Sequence, residues 1–138
     1  LNIFSSISPS QSKYLTNLLR PNSILVHGFL SKSILVEKLR DIDCIIIPSI
    51  WYENAPMVIL EALSLRIIVL VRDIGSLSTF AKDSKNVYLY SSIDSLHELL
   101  ISINSKEIKF NNDSHFLDNF SKDSFLTSLN SLKPFYSY

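Results

Sequence analysis

Short apolar runs alternate along this chain with segments whose apolar side chains recur every three or four positions. LNIF (1–4), SILVHGF (23–29), DCIIIPS (43–49), RIIVLVRD (66–73) and NVYLY (86–90) read as strands. RIIVLVRD is nearly all β-branched or aliphatic at its centre, the pattern of a strand covered on both faces. Between them lie helical spacings. SQSKYLTNLLR (10–20) puts Tyr14, Leu15, Leu18 and Leu19 on one face, and Pro21-Asn22 stops it. Ser31 or Ser33 can cap a helix carrying Ile34, Leu35, Val36 and Leu39. Pro56 suits a first helical position, where its missing N–H is no loss, and the helix runs on from Met57 to Leu65. A short helix is predicted between Ile74 and Lys82, after a turn at Gly75. Apolar residues at 93, 96, 99, 100 and 103 predict an amphipathic helix. NSKEIKFNNDSH (104–115) is polar loop, and a closing helix is predicted over about 117–132.

This alternation predicts an α/β fold: a Rossmann-like parallel sheet flanked by helices, in a single domain over 1–138. Crossovers are right-handed by default. Ligands of such sheets bind outside the carboxyl ends of the strands.

Composition narrows the function classes. Thirteen acids balance thirteen bases, so no net field draws the chain to nucleic acid or an anionic membrane. Its one cysteine, Cys44, allows no internal disulfide and makes a metal cluster unexpected. A reducing cytoplasm fits. No apolar run nears the roughly 20 residues that cross a bilayer, and LNIFSSISPSQSK lacks the basic-then-apolar layout of a secretory signal. Met57 is the sole methionine, so the chain is expected to be a piece of something longer.

The stretch SIWYENAPMVILEALS (49–64) carries the candidate chemistry. A helix opening at Pro56 leaves its first N–H groups unpaired and adds about half a positive charge there. A phosphate is a natural guest. Asn54 and Ala55 are small enough to let a ligand approach the backbone. Glu61 leans back toward the helix start, and its two oxygens can accept both hydroxyls of a ribose diol. Glu53, just before the helix, could accept from hydroxyls beyond the phosphates. The eight residues between the acids rise about 12 Å as helix, the span from a ribose to a sugar. Spacing alone also fits a plainer account, in which one acid meets the helix dipole for about 0.3–1 kcal/mol and the other is merely solvated.

PSIWYENAPMVILEAL (48–63) resembles the signature of the retaining, GT-B-fold glycosyltransferases of family 4: Pro-Ser after a strand, a Glu, seven residues, and a second Glu followed by Ala. VHGFLSKSILVEKLRDIDCIII (26–47), IIVLVRDIGSLSTFAKDSKNVYLY (67–90) and FSKDSFLTSLNSLKPFY (120–136) resemble its flanks and closing helix. The resemblance implies the C-terminal, donor-binding half of such an enzyme, with a UDP- or GDP-sugar as donor and a glycan or lipid-linked acceptor. Glu61 would hold the ribose, and Glu53 the donor sugar, as the catalytic acid of the set. Asn54, Ala55, Pro56 and Met57 would face the sugar and diphosphate, and backbone at Gly28, Phe29 and Leu30 would meet the base. Gly75 offers a second close approach to donor, or a plain turn. No metal or cofactor is expected at this site. Polysaccharide or other glycan assembly in the cytoplasm, at the inner face of the membrane, is the family-level expectation.

Three departures qualify this. The family has Gly where Arg66 stands, another near Lys85-Asn86, and a Gly and an acid after Gly75, where this chain has Ser76-Leu77-Ser78. LNIF resembles the second strand of the family's sheet, so the first strand and the cations usual beside it would be absent. Arg72 and Lys32 are the stand-ins. The acceptor-binding half, in cis or in trans, would also be needed for turnover, since one half cannot position an acceptor. A sheet lacking its central strand either closes up or leaves an open groove, inviting self-association. The rival reading is a non-catalytic remnant or interaction subunit keeping the fold. A flavodoxin-like signalling domain fits less well, because LNIFSS lacks acids at its strand end. Of the other residues, His27 reads as a satisfied histidine, His97 and His115 as surface, and Cys44 as a small hydrophobe. Trp51 and Tyr52 read as packing or as a lid beside the site.

Overall fold

The computed structural model describes residues 2–4, 8, 10–11, 13–14, 25–52, 57–112, 115–118 and 121. The chain divides into two compact units, Leu1–Asp41 and Ile42–Tyr138.

In the first unit β1 (Asn2–Ile3) pairs in parallel with β2 (Leu25–Val26), in the register Asn2 to Leu25 and Ile3 to Val26. The bond from His27 N–H to the Ile3 carbonyl, 2.9 Å, extends the ladder by one step. Helix α1 (Lys32–Leu39) follows, with Ser31 as its extended N-cap. Ser31 makes no side-chain cap bond to the helix; its hydroxyl lies 3.2 Å from that of Ser33 instead. Of the helix expected over 10–20, Ser10, Gln11, Lys13 and Tyr14 are helical and the remainder lies outside the described residues.

The second unit is built on a parallel sheet of β3 (Cys44–Ile47), β4 (Ile68–Arg72) and β5 (Val87–Tyr90), ordered β3-β4-β5. Cys44 pairs with Ile68 and Val69 with Val87. β4 is central, and Ile68 to Val71 are all buried, as a strand apolar on both faces requires. Its helices are α2 (Met57–Ser64), α3 (Leu77–Asp83), α4 (Ile93–Asn104) and α5 (His115–Asp118). Parallel strands flanked by helices give the Rossmann-like α/β class expected.

Period-2 alternation divides the core. Ile68, Leu70 and Tyr90 form a cluster on one face, and Leu96, Leu99, Leu100 and Ile103 of α4 pack on it as their spacing predicts. Ile93, at the first helical position, departs from the pattern and is 76% exposed. A reciprocal Ser92–Ser95 capping box starts this helix. Val69 and Val71 face the other way, and α2 and α3 pack on their strand through Ile59, Ala62, Leu63 and Leu77, all buried. Most of the closing helix expected at about 117–132 lies outside the described residues; α5 covers His115–Asp118.

Cys44 packs, half-buried, against the Ile68 cluster. Burial pushes its thiol pKa up, and the neighbouring Asp43 charge adds to this. It behaves as a small apolar side chain rather than a nucleophile.

Two positions where the resembled family carries Gly show what replaces it. Arg66 has φ of 63°, in the left-handed region. It ends α2 in a Schellman turn: Ile67 N–H reaches the Ala62 carbonyl and Arg66 N–H the Leu63 carbonyl, both at 3.0 Å. A side chain there costs on the order of 1–2 kcal/mol. The guanidinium offsets part of this by donating to the Asn112 side-chain oxygen and lying 5.9 Å from the Phe110 ring centre. Arg66→Ala keeps the strain and loses both contacts, so it should lower the unfolding free energy by about 1–2 kcal/mol. Arg66→Gly loses the contacts but relieves the strain, and should be more stable than the alanine variant. Chemical denaturation checks the order; alanine at least as stable as glycine would refute it.

Asn86, only 4% exposed, uses its carboxamide as a short strand. Its Nδ2 donates to the Asn111 carbonyl at 2.9 Å, and its Oδ1 accepts from the Asn111 N–H at 2.6 Å.

Candidate functional site

Helix α2 follows β3 and divides cleanly. Ile59, Ala62 and Leu63 are buried, while Met57, Val58, Glu61 and Ser64 are exposed. Met57 and Glu61 are four apart and therefore neighbours on the outward stripe. Glu61 thus faces out of the fold from the middle of the helix. Its main-chain carbonyl accepts from Leu65 N–H at 3.2 Å and from the Ser64 hydroxyl at 2.7 Å, closing the helix behind it. Glu53, Asn54, Ala55 and Pro56 lie outside the described residues.

Because β3, β4 and β5 are parallel, their carboxyl ends share one edge of the sheet, and the segments after Ile47, Arg72 and Tyr90 leave from it. The segment after β4 is well held. Asp73 N–H donates to the Tyr90 carbonyl at 2.9 Å and Leu77 N–H to that of Ile74 at 3.2 Å. The Ser78 hydroxyl donates to the Asp73 carboxylate at 2.5 Å. Gly75, at the tip, has φ of +54°. A β-carbon there would stand 2.7 Å from Cδ1 of Tyr52, inside any real contact distance. Gly75 is thus a turn glycine, and its missing side chain leaves room for the Tyr52 ring. The Tyr52 ring is otherwise open at 82% exposure, and Ile50, Trp51 and Met57 are open beside it in sequence. Packing of Trp51 into a core is not what this structure shows; it is 74% exposed. Arg72 is exposed at the end of β4. Burial pushes the Tyr90 hydroxyl pKa up, and the Arg72 charge opposes this.

In the first unit, Gly28 follows β2 with φ of +67°. Nothing lies within 4 Å of where its β-carbon would be, so backbone conformation and not crowding asks for glycine. Phe29 projects with 91% exposure and Leu30 is half-buried. His27 is held: Nε2 lies 2.8 Å from the Asn2 side-chain oxygen, and the ring stacks on Phe4 at 4.8 Å. That is a satisfied histidine, as its isolated spacing predicts. His97 is exposed on α4.

A family model described as glycosyl transferases group 1 matches residues 9–119. The chain belongs to the group 1 glycosyl transferases. Comparison with curated proteins and with solved structures found no significant match. The group 1 match spans both units and includes every candidate residue, from Gly28 to Gly75. Glycosyl transfer in general is thus the chemistry of this family, which implies a sugar donor and an acceptor. Tyr52, which the sequence leaves between packing and lid, lies with its ring edge at Gly75. Its place directly before Glu53 was the available signal.

Proposed function

We propose that this chain is the donor-binding half of a retaining, GT-B-type group 1 glycosyltransferase, acting on a UDP- or GDP-sugar. The observation that carries the reading is Glu61: an exposed carboxylate on the outward stripe of α2, the helix that follows β3 of a parallel sheet, within the family match. Its two oxygens suit a ribose diol. In this reading Glu53 holds the donor sugar as the catalytic acid of the set. The backbone of Asn54, Ala55, Pro56 and Met57 meets the sugar and diphosphate. Gly28, Phe29 and Leu30 meet the base, and no metal takes part.

In the reaction, the bond from the anomeric carbon to the diphosphate oxygen breaks. The diphosphate leaves with the electron pair, and an acceptor hydroxyl bonds to the same face as its proton passes to the departing diphosphate oxygen. Charge on the leaving diphosphate must be met by fixed donors and cations. Arg72 and Lys32 are the proposed cations. The acceptor, a glycan or lipid-linked sugar, is positioned by a second domain in cis or in trans, so this chain alone binds donor without turning it over. The cytoplasm, at the inner membrane face, is the proposed setting; among the described residues no helix is long and apolar enough to cross a membrane.

Titration calorimetry of the 138-residue chain with UDP-glucose and with GDP-mannose tests the reading. Saturable binding of one of them is expected. Heat of dilution alone with both would overturn it.

A further inference from the structure

After β3 the chain passes through Pro48 and Ser49 and then sets three large apolar side chains in a row against solvent. Ile50 is 62% exposed, Trp51 74% and Tyr52 82%. Exposed apolar residues are ordinary when scattered singly, as Ile93 and Ile101 are on α4. A consecutive run is unfavourable in water unless something covers it. Among the described residues no other stretch exposes three large apolar side chains in succession. In an extended segment alternate side chains turn to opposite sides, and here all three stay in solvent, so no face of the run is turned to the core. Met57 and Val58, at the start of α2, are exposed as well.

The chemistry of the run says what covers it. No charged residue stands between Asp43 and Glu53, so the run offers no ion pair to fix a protein partner's register. Trp51 and Tyr52 each join an apolar body to one polar handle, the kind of side chain that settles where hydrocarbon meets lipid headgroups. The area decides against a second copy. Three side chains, at about 150–250 Å² for each aromatic when fully buried, fall short of the roughly 800 Å² per partner of a stable protein interface. A bilayer wraps each inserted side chain separately and sets no such minimum.

We propose that Ile50, Trp51 and Tyr52 form a membrane-docking tip, whose side chains enter the boundary between headgroups and acyl chains while the backbone stays at the hydrated surface. The docking is peripheral and needs no spanning helix. It does not rest on the donor-binding reading and holds whether or not the chain binds a sugar nucleotide.

Trp51 is the only tryptophan, so its fluorescence reports on the tip alone. With phosphatidylcholine vesicles its emission should shift to the blue, and vesicles of brominated phosphatidylcholine should quench it. Co-sedimentation with sucrose-loaded phosphatidylcholine vesicles should show Trp51→Ser and Tyr52→Ser each lowering the partition coefficient about tenfold. Ile101→Ser, an equally apolar loss at an exposed site on α4, should leave it unchanged. Raising salt from about 0.05 to about 0.5 M should have little effect, since screening acts on charges and the tip has none. Absence of co-sedimentation overturns the proposal. So does binding without bromine quenching, or binding that Trp51→Ser leaves intact, because the contact is then elsewhere. Binding confined to vesicles containing phosphatidylglycerol and lost in salt overturns it in favour of an electrostatic contact. A blue shift that grows with protein concentration in the absence of vesicles overturns it in favour of a second copy. All three positions are exposed, and unchanged circular dichroism of the variants separates lost docking from lost folding.

Discussion

Glu61→Ala is expected to weaken sugar-nucleotide binding about ten- to a hundredfold while leaving the fold intact. A hydrogen bond to a charged group is worth about 1.5–3 kcal/mol, and each 1.4 kcal/mol is about tenfold in affinity. A carboxylate gripping both ribose hydroxyls loses this when it is truncated. The helix itself has little reason to respond. Glu61 is exposed, and Ala and Glu are both good helix formers. The main-chain carbonyl of Glu61, which receives Leu65 and Ser64, is untouched. A pair of ligands separates ribose recognition from general electrostatics. Wild type should bind UDP more tightly than 2′-deoxy-UDP, and Glu61→Ala should bind the two alike. Equal discrimination in both proteins would remove Glu61 from the ribose, even if overall affinity fell with the lost charge.

What the sequence makes legible here follows from which forces are periodic. The run RIIVLVRD, short and rich in β-branched residues, reads as a strand covered on both faces, and β4 is that strand. The helix with apolar residues at 96, 99, 100 and 103 lies on the sheet as spaced. Ile93 misled because its register matched the stripe, yet a residue at the first helical position, beside the Ser92 cap, stands at the end of the helix. α2 was equally legible, since its buried and exposed residues sort at helical spacing, and the side that Glu61 occupies follows from that. Contacts between distant loops have no period. Asn86 meets Asn111 and Arg66 meets Asn112 across 25 and 46 residues, and nothing local announces either. The same holds for Tyr52 on Gly75. The absent glycines suggested a weakened site. In the structure Arg66 accepts the glycine-like φ and uses its side chain elsewhere, so that one departure bears on stability.

That distinction can be tested at Asn86, whose replacement by alanine should be costly to the fold and neutral to the site. Its carboxamide makes two hydrogen bonds to the backbone of Asn111, and Arg66 adds a third hold through Asn112. Together they fasten the segment that carries Ile108 and Phe110 onto the cluster of Ile68, Leu70 and Tyr90. Each such bond is worth about 0.5–1.5 kcal/mol net, with an added penalty where a partner stays desolvated. Asn86→Ala should therefore cost about 2–3 kcal/mol, a fall in Tm of roughly 5–15 °C for a chain of this size. Asn86→Asp should cost no less, because it sets an acceptor against the Asn111 carbonyl. A loss under about 0.5 kcal/mol, the scale of an uninvolved surface change, would mean that the two bonds do not hold the segment. Since Arg66 and Asn86 grip the same segment, the double alanine variant should lose less than the sum of the two single losses. Strict additivity would mean two independent contacts. Arg66 and Asn86 precede β4 and β5, at the amino edge of the sheet, while Tyr52, Gly75 and the start of α2 follow strands at the opposite edge. At a temperature where Asn86→Ala is still folded, its affinity for UDP-glucose or GDP-mannose should equal that of wild type. A parallel loss of affinity would mean that the two edges are coupled through the sheet.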